Sequence, residues 1–279
     1  MSLELLFLGT GTSAGVPMIG CECEVCRSTD PRDARTRPSV LIRYPDPDVD
    51  KLSRQYLIDA SAELRLVAIR HDLKRIDGVF ITHTHADHVF GLDDLRRFNA
   101  VMNAPIDIHA EAEAHRDLAR VFKYVFEPQG NVNKSFIPDL LPRVMAPGMT
   151  LDLFGGKWTA LRLMHGRLPV LGYRIDYRGH SIAYCTDVSG FPPETYPLLQ
   201  DLDVLVIDAL RYRHHPTHLT VDQALEQIEQ IQPRRAYLTH IAHDIRHADL
   251  ETRLPEQVYL SFDGLVVSCG DDVTVKRNP

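Results

Sequence analysis

Long apolar runs are missing from this chain. No stretch reaches the roughly 18 residues that a membrane-crossing helix requires, so no transmembrane helix is predicted. Residues 1–9, MSLELLFLG, carry neither a basic leader nor a cleavage pattern, and the expectation is a cytoplasmic protein. Positive charge is also short: 31 Lys and Arg stand against 38 Asp and Glu, a net charge of −7. That field opposes nucleic acid as a partner and, with no membrane partner expected either, leaves a small molecule as the expected one. Cysteine is too scarce, and at five residues odd in number, for a closed disulfide framework. No internal repeat or low-complexity tract divides the chain.

What remains has the composition of an ordinary globular protein, 44 % hydrophobic and 25 % charged over 279 residues. A single domain over 1–279 is expected, since α/β folds often run this long as one unit. Short β-like runs recur at 3–8, 40–43, 56–58, 79–82, 106–109, 171–177, 181–186, 204–207 and 236–239. Several are continuously apolar, the pattern of strands covered on both faces by helices rather than wetted on one. Helices are predicted over 62–71, 111–125 and 220–229, with Val221, Leu225 and Ile228 on one face of the last. Asp93 is a candidate cap for a shorter helix through Phe98. Residues 127–150 hold Pro128, Pro138, Pro142 and Pro147 with Gly130 and Gly148, and read as an irregular insertion bordering the site. The expected architecture is an α/β fold layered as an αββα sandwich.

The chemistry concentrates where one apolar run ends. Val79-Phe80-Ile81-Thr82 leads directly into His83-Thr84-His85-Ala86-Asp87-His88, four ligand-type side chains in six positions. In extended chain His83 and His85 point the same way, because side-chain direction repeats every two residues. Asp87 and His88 then reach a neighbouring position as the chain turns. Imidazoles with a carboxylate suit zinc, manganese or iron, and this density supports two ions held close together. A histidine-rich surface loop is the alternative, but it gives no reason for a buried strand to precede the cluster.

His83-x-His85-x-Asp87-His88 resembles the HxHxDH motif of the metallo-β-lactamase superfamily, and the resemblance spans nearly the whole chain. That family then calls for a histidine, an acid and a final histidine at strand ends, which His165, Asp187 and His240 match. The resemblance implies one metal held by His83, His85 and His165, a second held by Asp87, His88 and His240, and Asp187 bridging them. It also implies hydrolysis by activated water, with Asp87 as a further proton acceptor. His85 stands where the redox-active members carry glutamate, and Asp187 stands where true β-lactamases carry cysteine.

A narrower resemblance is to the PhnP-like phosphodiesterases of that superfamily, carried by Gly9-Thr10-Gly11 and by Gly20-Cys21-Glu22-Cys23-Glu24-Val25-Cys26-Arg27. It implies a structural zinc on Cys21, Cys23, Cys26 and His243, with His247 as a spare candidate, and a possible homodimer. A closed Cys₃His set leaves no position open for catalysis. It further implies a catalytic histidine at His218, although His214 and His215 compete and residues 211–217 depart from the family pattern. The expected substrate is a small, cyclic phosphodiester such as a phosphoribosyl cyclic phosphate or a nucleotide. Alternatives are a thioesterase or lactonase, ribonuclease Z-like tRNA processing, or a non-catalytic metal- or nucleotide-binding protein. Cys185 and Cys269 lie in apolar stretches and read as buried, inert thiols.

Overall fold

The computed structural model describes residues 2–127, 136–269 and 275–277, the last as backbone only. Two sheets carry the fold. The first orders its strands β15-β14-β1-β2-β3-β4-β5-β6, where β1 is Leu3–Gly9, β2 Ser39–Pro45, β3 Ser53–Ile58, β4 Gly78–Phe80, β5 Ile106–Ala110, β6 Leu140–Val144, β14 Leu265–Cys269 and β15 Val275–Arg277. The second runs β13-β12-β11-β10-β9-β8-β7, with β7 Thr150–Leu153, β8 Gly156–His165, β9 Leu168–Tyr177, β10 His180–Cys185, β11 Val204–Asp208, β12 Arg235–Thr239 and β13 Val258–Leu260.

Period-two alternation explains why these strands are apolar throughout. Leu3, Leu5 and Phe7 of β1 join Val40, Ile42 and Tyr44 of β2 in the layer between the sheets, where Trp158, Tyr173, Tyr184 and Val206 meet them. Leu6, Leu8 and Leu41 turn the other way, toward the helices α1 (Leu64–Arg70) and α3 (Leu95–Met102). Ala183, Cys185, Leu205 and Ile207 likewise face α6 (Val221–Ile231) across the outer side of the second sheet. Three apolar layers among four structural ones is the αββα sandwich expected from the continuous apolar runs. Among the described residues, no helix is long and apolar enough to cross a membrane.

Strand direction then decides where chemistry can collect. β3 to β6 are mutually parallel, as are β10 to β13, so their carboxyl ends open on one edge of the sandwich. Residues 58, 80, 185, 207 and 239 all lie at those ends. In register, Cys185 pairs with Ile207 and Asp208 with Thr239, which aligns the loops that follow.

Three details differ from the sequence expectation. The stretch 127–150 is only partly described, with 128–135 lying outside the described residues, and it contains β6, an edge strand able to accommodate Pro142. Hydrogen bonds of its described residues run to Arg96, Asn99, Asp107, Ala110, His115 and Ala160. The helix expected over 111–125 breaks at Phe122 into α4 (Ala112–Val121) and α5 (Lys123–Phe126). Asp93 does not cap; it accepts the Tyr124 hydroxyl at 2.5 Å and pairs with Arg96, while α3 starts without a side-chain cap. By contrast α6 opens on a complete capping box between Thr220 and Gln223.

Candidate metal centre

The chain leaves β4, runs extended through His85 and enters the single turn α2 (Ala86–Val89), which swings Asp87 and His88 inward. His83, Asp87 and His88 are buried and His85 is exposed. His165 ends β8, and Asp187 and His240 follow β10 and β12 in left-handed conformations, φ 53° and 60°. A non-glycine residue held there costs about 1–3 kcal/mol, a strain that clusters at functional sites.

These seven side chains meet in overlapping groups whose potential ligand atoms lie within 4.8 Å of one another: His83, His85 and His165; His83, His88 and Asp187; Asp87, His88 and His240. Asp187 stands between them. Its Oδ2 lies 3.3 Å from His88 Nε2 and its Oδ1 3.4 Å from His240 Nε2, with Asp87 Oδ2 3.4 Å from His88 Nε2. His88 Nε2 and both ring nitrogens of His240 are buried without a hydrogen-bond partner. Burying unpaired polar atoms costs several kcal/mol unless something satisfies them. Imidazole and carboxylate lone pairs converging on one space fit divalent cations in the way a hydrogen-bonded core does not.

The far nitrogens are fixed by a supporting layer. His88 Nδ1 donates to Asp59 Oδ2 at 2.7 Å, His165 Nδ1 donates to the Thr217 carbonyl at 2.9 Å, and His83 Nδ1 lies 3.0 Å from Thr82 Oγ1. Asp59 also accepts the Thr82 amide and hydroxyl, both at 2.8 Å. Such carboxylate–histidine contacts set the tautomer and aim the free Nε2 at a metal. Burial pushes His83 well below the usual imidazole range and His165 down to about 4, which keeps both neutral and able to ligate.

His218 completes the edge. Its ring lies 4.6 Å from both His165 and His240, and it joins His165 and Asp187 as a third possible ligand group. Its Nδ1 is 2.6 Å from Asp208 Oδ2, at the end of β11. Burial raises the Asp208 carboxyl and lowers the His218 imidazole, so both favour their neutral forms. Its two competitors stand apart: His214 is exposed, and His215 is half-buried with its Nδ1 engaged by Thr217. Asp59 and Asp208 escaped the reading of the sequence. Both follow apolar runs, Leu57-Ile58 and Val206-Ile207, the same signal that pointed to Asp187.

A second cluster lies apart from the first. Cys21, Cys23 and Cys26 place their sulfurs 3.2, 3.4 and 3.7 Å from His243 Nδ1. The Cys26 amide donates to Cys23 Sγ and, against partial burial, lowers that thiol to about 6, favouring the thiolate a metal needs. The four atoms lie within 4.8 Å of one another, a spacing one tetrahedral ion spans. His247 stays outside, buried against Phe262. Cys185 and Cys269 are buried, and burial raises both thiols, Cys269 to about 12.

The glycines near the start hold the loops together. A Cβ on Gly9 would sit 1.9 Å from the Arg37 carbonyl oxygen, and one on Gly11 2.9 Å from that of Arg35. Close approach lets Thr10 accept the Ile241 amide at 2.9 Å, between the two clusters. Arg35, fully buried and paired with Asp33, donates to the carbonyls of Ala242 and Ile245.

A model of the beta-lactamase superfamily domain matches residues 54–241. The chain belongs to the beta-lactamase superfamily and is a metal-dependent hydrolase. It is 37 % identical to a crystal structure described as a new diphosphatase from the PhnP family, covering 96 % of this chain and 97 % of that one at a TM-score of 0.85. Within the superfamily it therefore belongs to the PhnP family. It is also 35 % identical to an octanoyltransferase of Porphyromonas gingivalis over 94 % of its own length, but spans only 51 % of that relative. A ribonuclease Z of Pyrobaculum neutrophilum is 25 % identical, over 95 % of this chain and 98 % of that one.

Proposed function

We propose that the chain hydrolyses a small phosphodiester. The reading assigns one divalent ion to His83, His85 and His165 and another to Asp87, His88 and His240, with Asp187 shared, and a structural zinc to Cys21, Cys23, Cys26 and His243. Zinc, manganese and iron all suit the catalytic donor set. When bound, the pair would acidify a water and neutralise charge on the phosphoryl oxygens.

The observation that carries the reading is the Asp208–His218 pair set against the ligand cluster. In the hydrolysis water adds to phosphorus, the bond to the leaving oxygen breaks, and that oxygen must gain a proton. With the Asp208 carboxyl donating its proton to Nδ1, the neutral His218 ring carries its own proton on Nε2, delivers it to the leaving oxygen and is reprotonated by the proton that the attacking water releases. The cavity beside His218 is lined by Gly166, Arg167, Ser189, Thr217 and Gln223 among others, and among the described residues Pro216 is its one purely hydrocarbon side chain. It suits a charged leaving group better than the acyl chain suggested by the octanoyltransferase likeness. The diphosphatase likeness supports a phosphorus centre as well.

The test is turnover of bis(p-nitrophenyl) phosphate alongside a p-nitrophenyl thioester. His218→Ala should lose about 10²–10⁴-fold in kcat while both catalytic ions remain by elemental analysis. Hydrolysis of the thioester alone would overturn the proposal. A gel shift with precursor tRNA tests the ribonuclease reading, which the net charge of −7 opposes.

A further inference from the structure

The turn between β8 and β9 is built as a fixed platform, and the proposed reaction leaves that construction unused. Gly166 adopts φ 62°, and a Cβ there would meet Thr217 Cγ2 at 2.8 Å. Its amide donates to Ser189 Oγ at 2.8 Å, and Ser189 Oγ donates in turn to the Met164 carbonyl at 2.9 Å. The turn is thereby pinned to the His218 loop on one side and to the loop after β10 on the other. It presents Arg167, exposed and without a carboxylate partner among the described residues.

Arg167 lines a cavity of about 530 Å³ together with His214, His215, His218, Ser189 and Gln223. The chain has 38 acidic residues, yet among the described residues no Asp or Glu lines this cavity. A guanidinium, ring nitrogens and a side-chain amide make a donor-rich wall, the Ser189 hydroxyl being spent on the Met164 carbonyl. Charge-assisted donors of this kind bind a phosphoryl group strongly, and Arg suits it by its forked geometry. The volume exceeds what one phosphoryl group beside His218 would fill, leaving room for the group attached to it.

Building on the phosphodiesterase reading, we propose that this cavity is a subsite for a second phosphoryl group on the leaving side of the substrate, with Arg167 as its specificity-determining residue. The scissile phosphorus sits among the metal ligands, and the leaving oxygen passes His218. The second phosphoryl group lies beyond it, against Arg167, His214 and His215. Substrates in which two phosphoryl groups are close together, diphosphate diesters above all, then gain over simple phosphodiesters.

The experiment compares the metal-loaded wild-type protein with Arg167→Ala and Arg167→Lys. Two substrates are used: ADP-ribose, which carries adjacent phosphoryl groups, and bis(p-nitrophenyl) phosphate, which carries one. The ratio of kcat/KM for the first to that for the second should fall about 10–100-fold in Arg167→Ala, through KM, as expected for a lost charged hydrogen bond. Arg167→Lys, which keeps the charge but loses the fork, should restore only part of the ratio. Calorimetric titration with α,β-methylene-ADP should show about tenfold weaker binding to Arg167→Ala. An unchanged ratio with unchanged binding overturns the subsite. So does wild-type turnover of bis(p-nitrophenyl) phosphate without ADP-ribose, which leaves the phosphodiesterase reading standing. Turnover of neither sinks that reading first and this inference with it.

Discussion

The histidine–aspartate cluster and the cysteine cluster differ in how they are held. The first draws its side chains from the ends of β4, β8, β10 and β12, buries all but His85, and braces their far atoms with Asp59, Thr82 and Thr217. The second hangs three half-buried thiols on one loop and takes its fourth donor from a segment more than 200 residues away. The sandwich builds the one in advance, whereas the other joins loops that the sandwich leaves separate. Metal should therefore serve chemistry in the first and folding in the second.

The largest effect expected to test this contrast comes from Asp187→Ala. It should abolish turnover by more than about 10³-fold, as removal of one member of a catalytic unit does, and elemental analysis should show catalytic metal lost with the melting temperature little changed. Retention of both ions and of activity would dissolve the proposed sharing. Next comes Asp208→Asn, expected to cost about 10–100-fold in activity, the usual loss when a histidine's supporting carboxylate is removed. Here the metal content should stay intact; an equal loss of metal would instead make His218 a ligand.

Cys23→Ser addresses the other region. It should lower the melting temperature, with about 2–4 °C for each kcal/mol lost in a domain of this size, while the catalytic ions remain. Its activity should decline only as far as the loop after β12 loosens, since Ile241 and Ala242 are also held by Thr10, Leu210 and Arg35. A complete loss of catalytic metal in this variant would show that the clusters are one cooperative unit. Thr220→Ala is the smallest test. Loss of the α6 cap should cost about 1 kcal/mol of stability, measured by denaturant unfolding. A turnover loss larger than the stability loss would mean that the cap also positions His218, two residues before it.

Much of this was legible in the amino-acid order because it depends on local periodicity. Continuous apolar runs implied strands covered on both faces, and the runs expected at 171–177, 204–207 and 236–239 fall within β9, β11 and β12. β6 was hidden by Pro142, which an edge strand tolerates, and β8 by its interspersed Lys157 and Arg162. The break at Phe122 was equally hidden, because the helical pattern continues across it.

The residue types around the candidate site followed from sequence alone: four ligand-type side chains after one strand, three more at later strand ends, and three crowded thiols. Their local spacing is a property of the chain, so it can be read from the chain. Only the tertiary structure decided that Asp59 backs His88, that Asp208 holds His218, and that His214 and His215 stay at the rim. Those pairings join β3 to α2 and β11 to the loop before α6, so they depend on how parallel strands align at one edge of the sandwich. Spacing along the chain carries no trace of that alignment, which arises when the apolar layers pack.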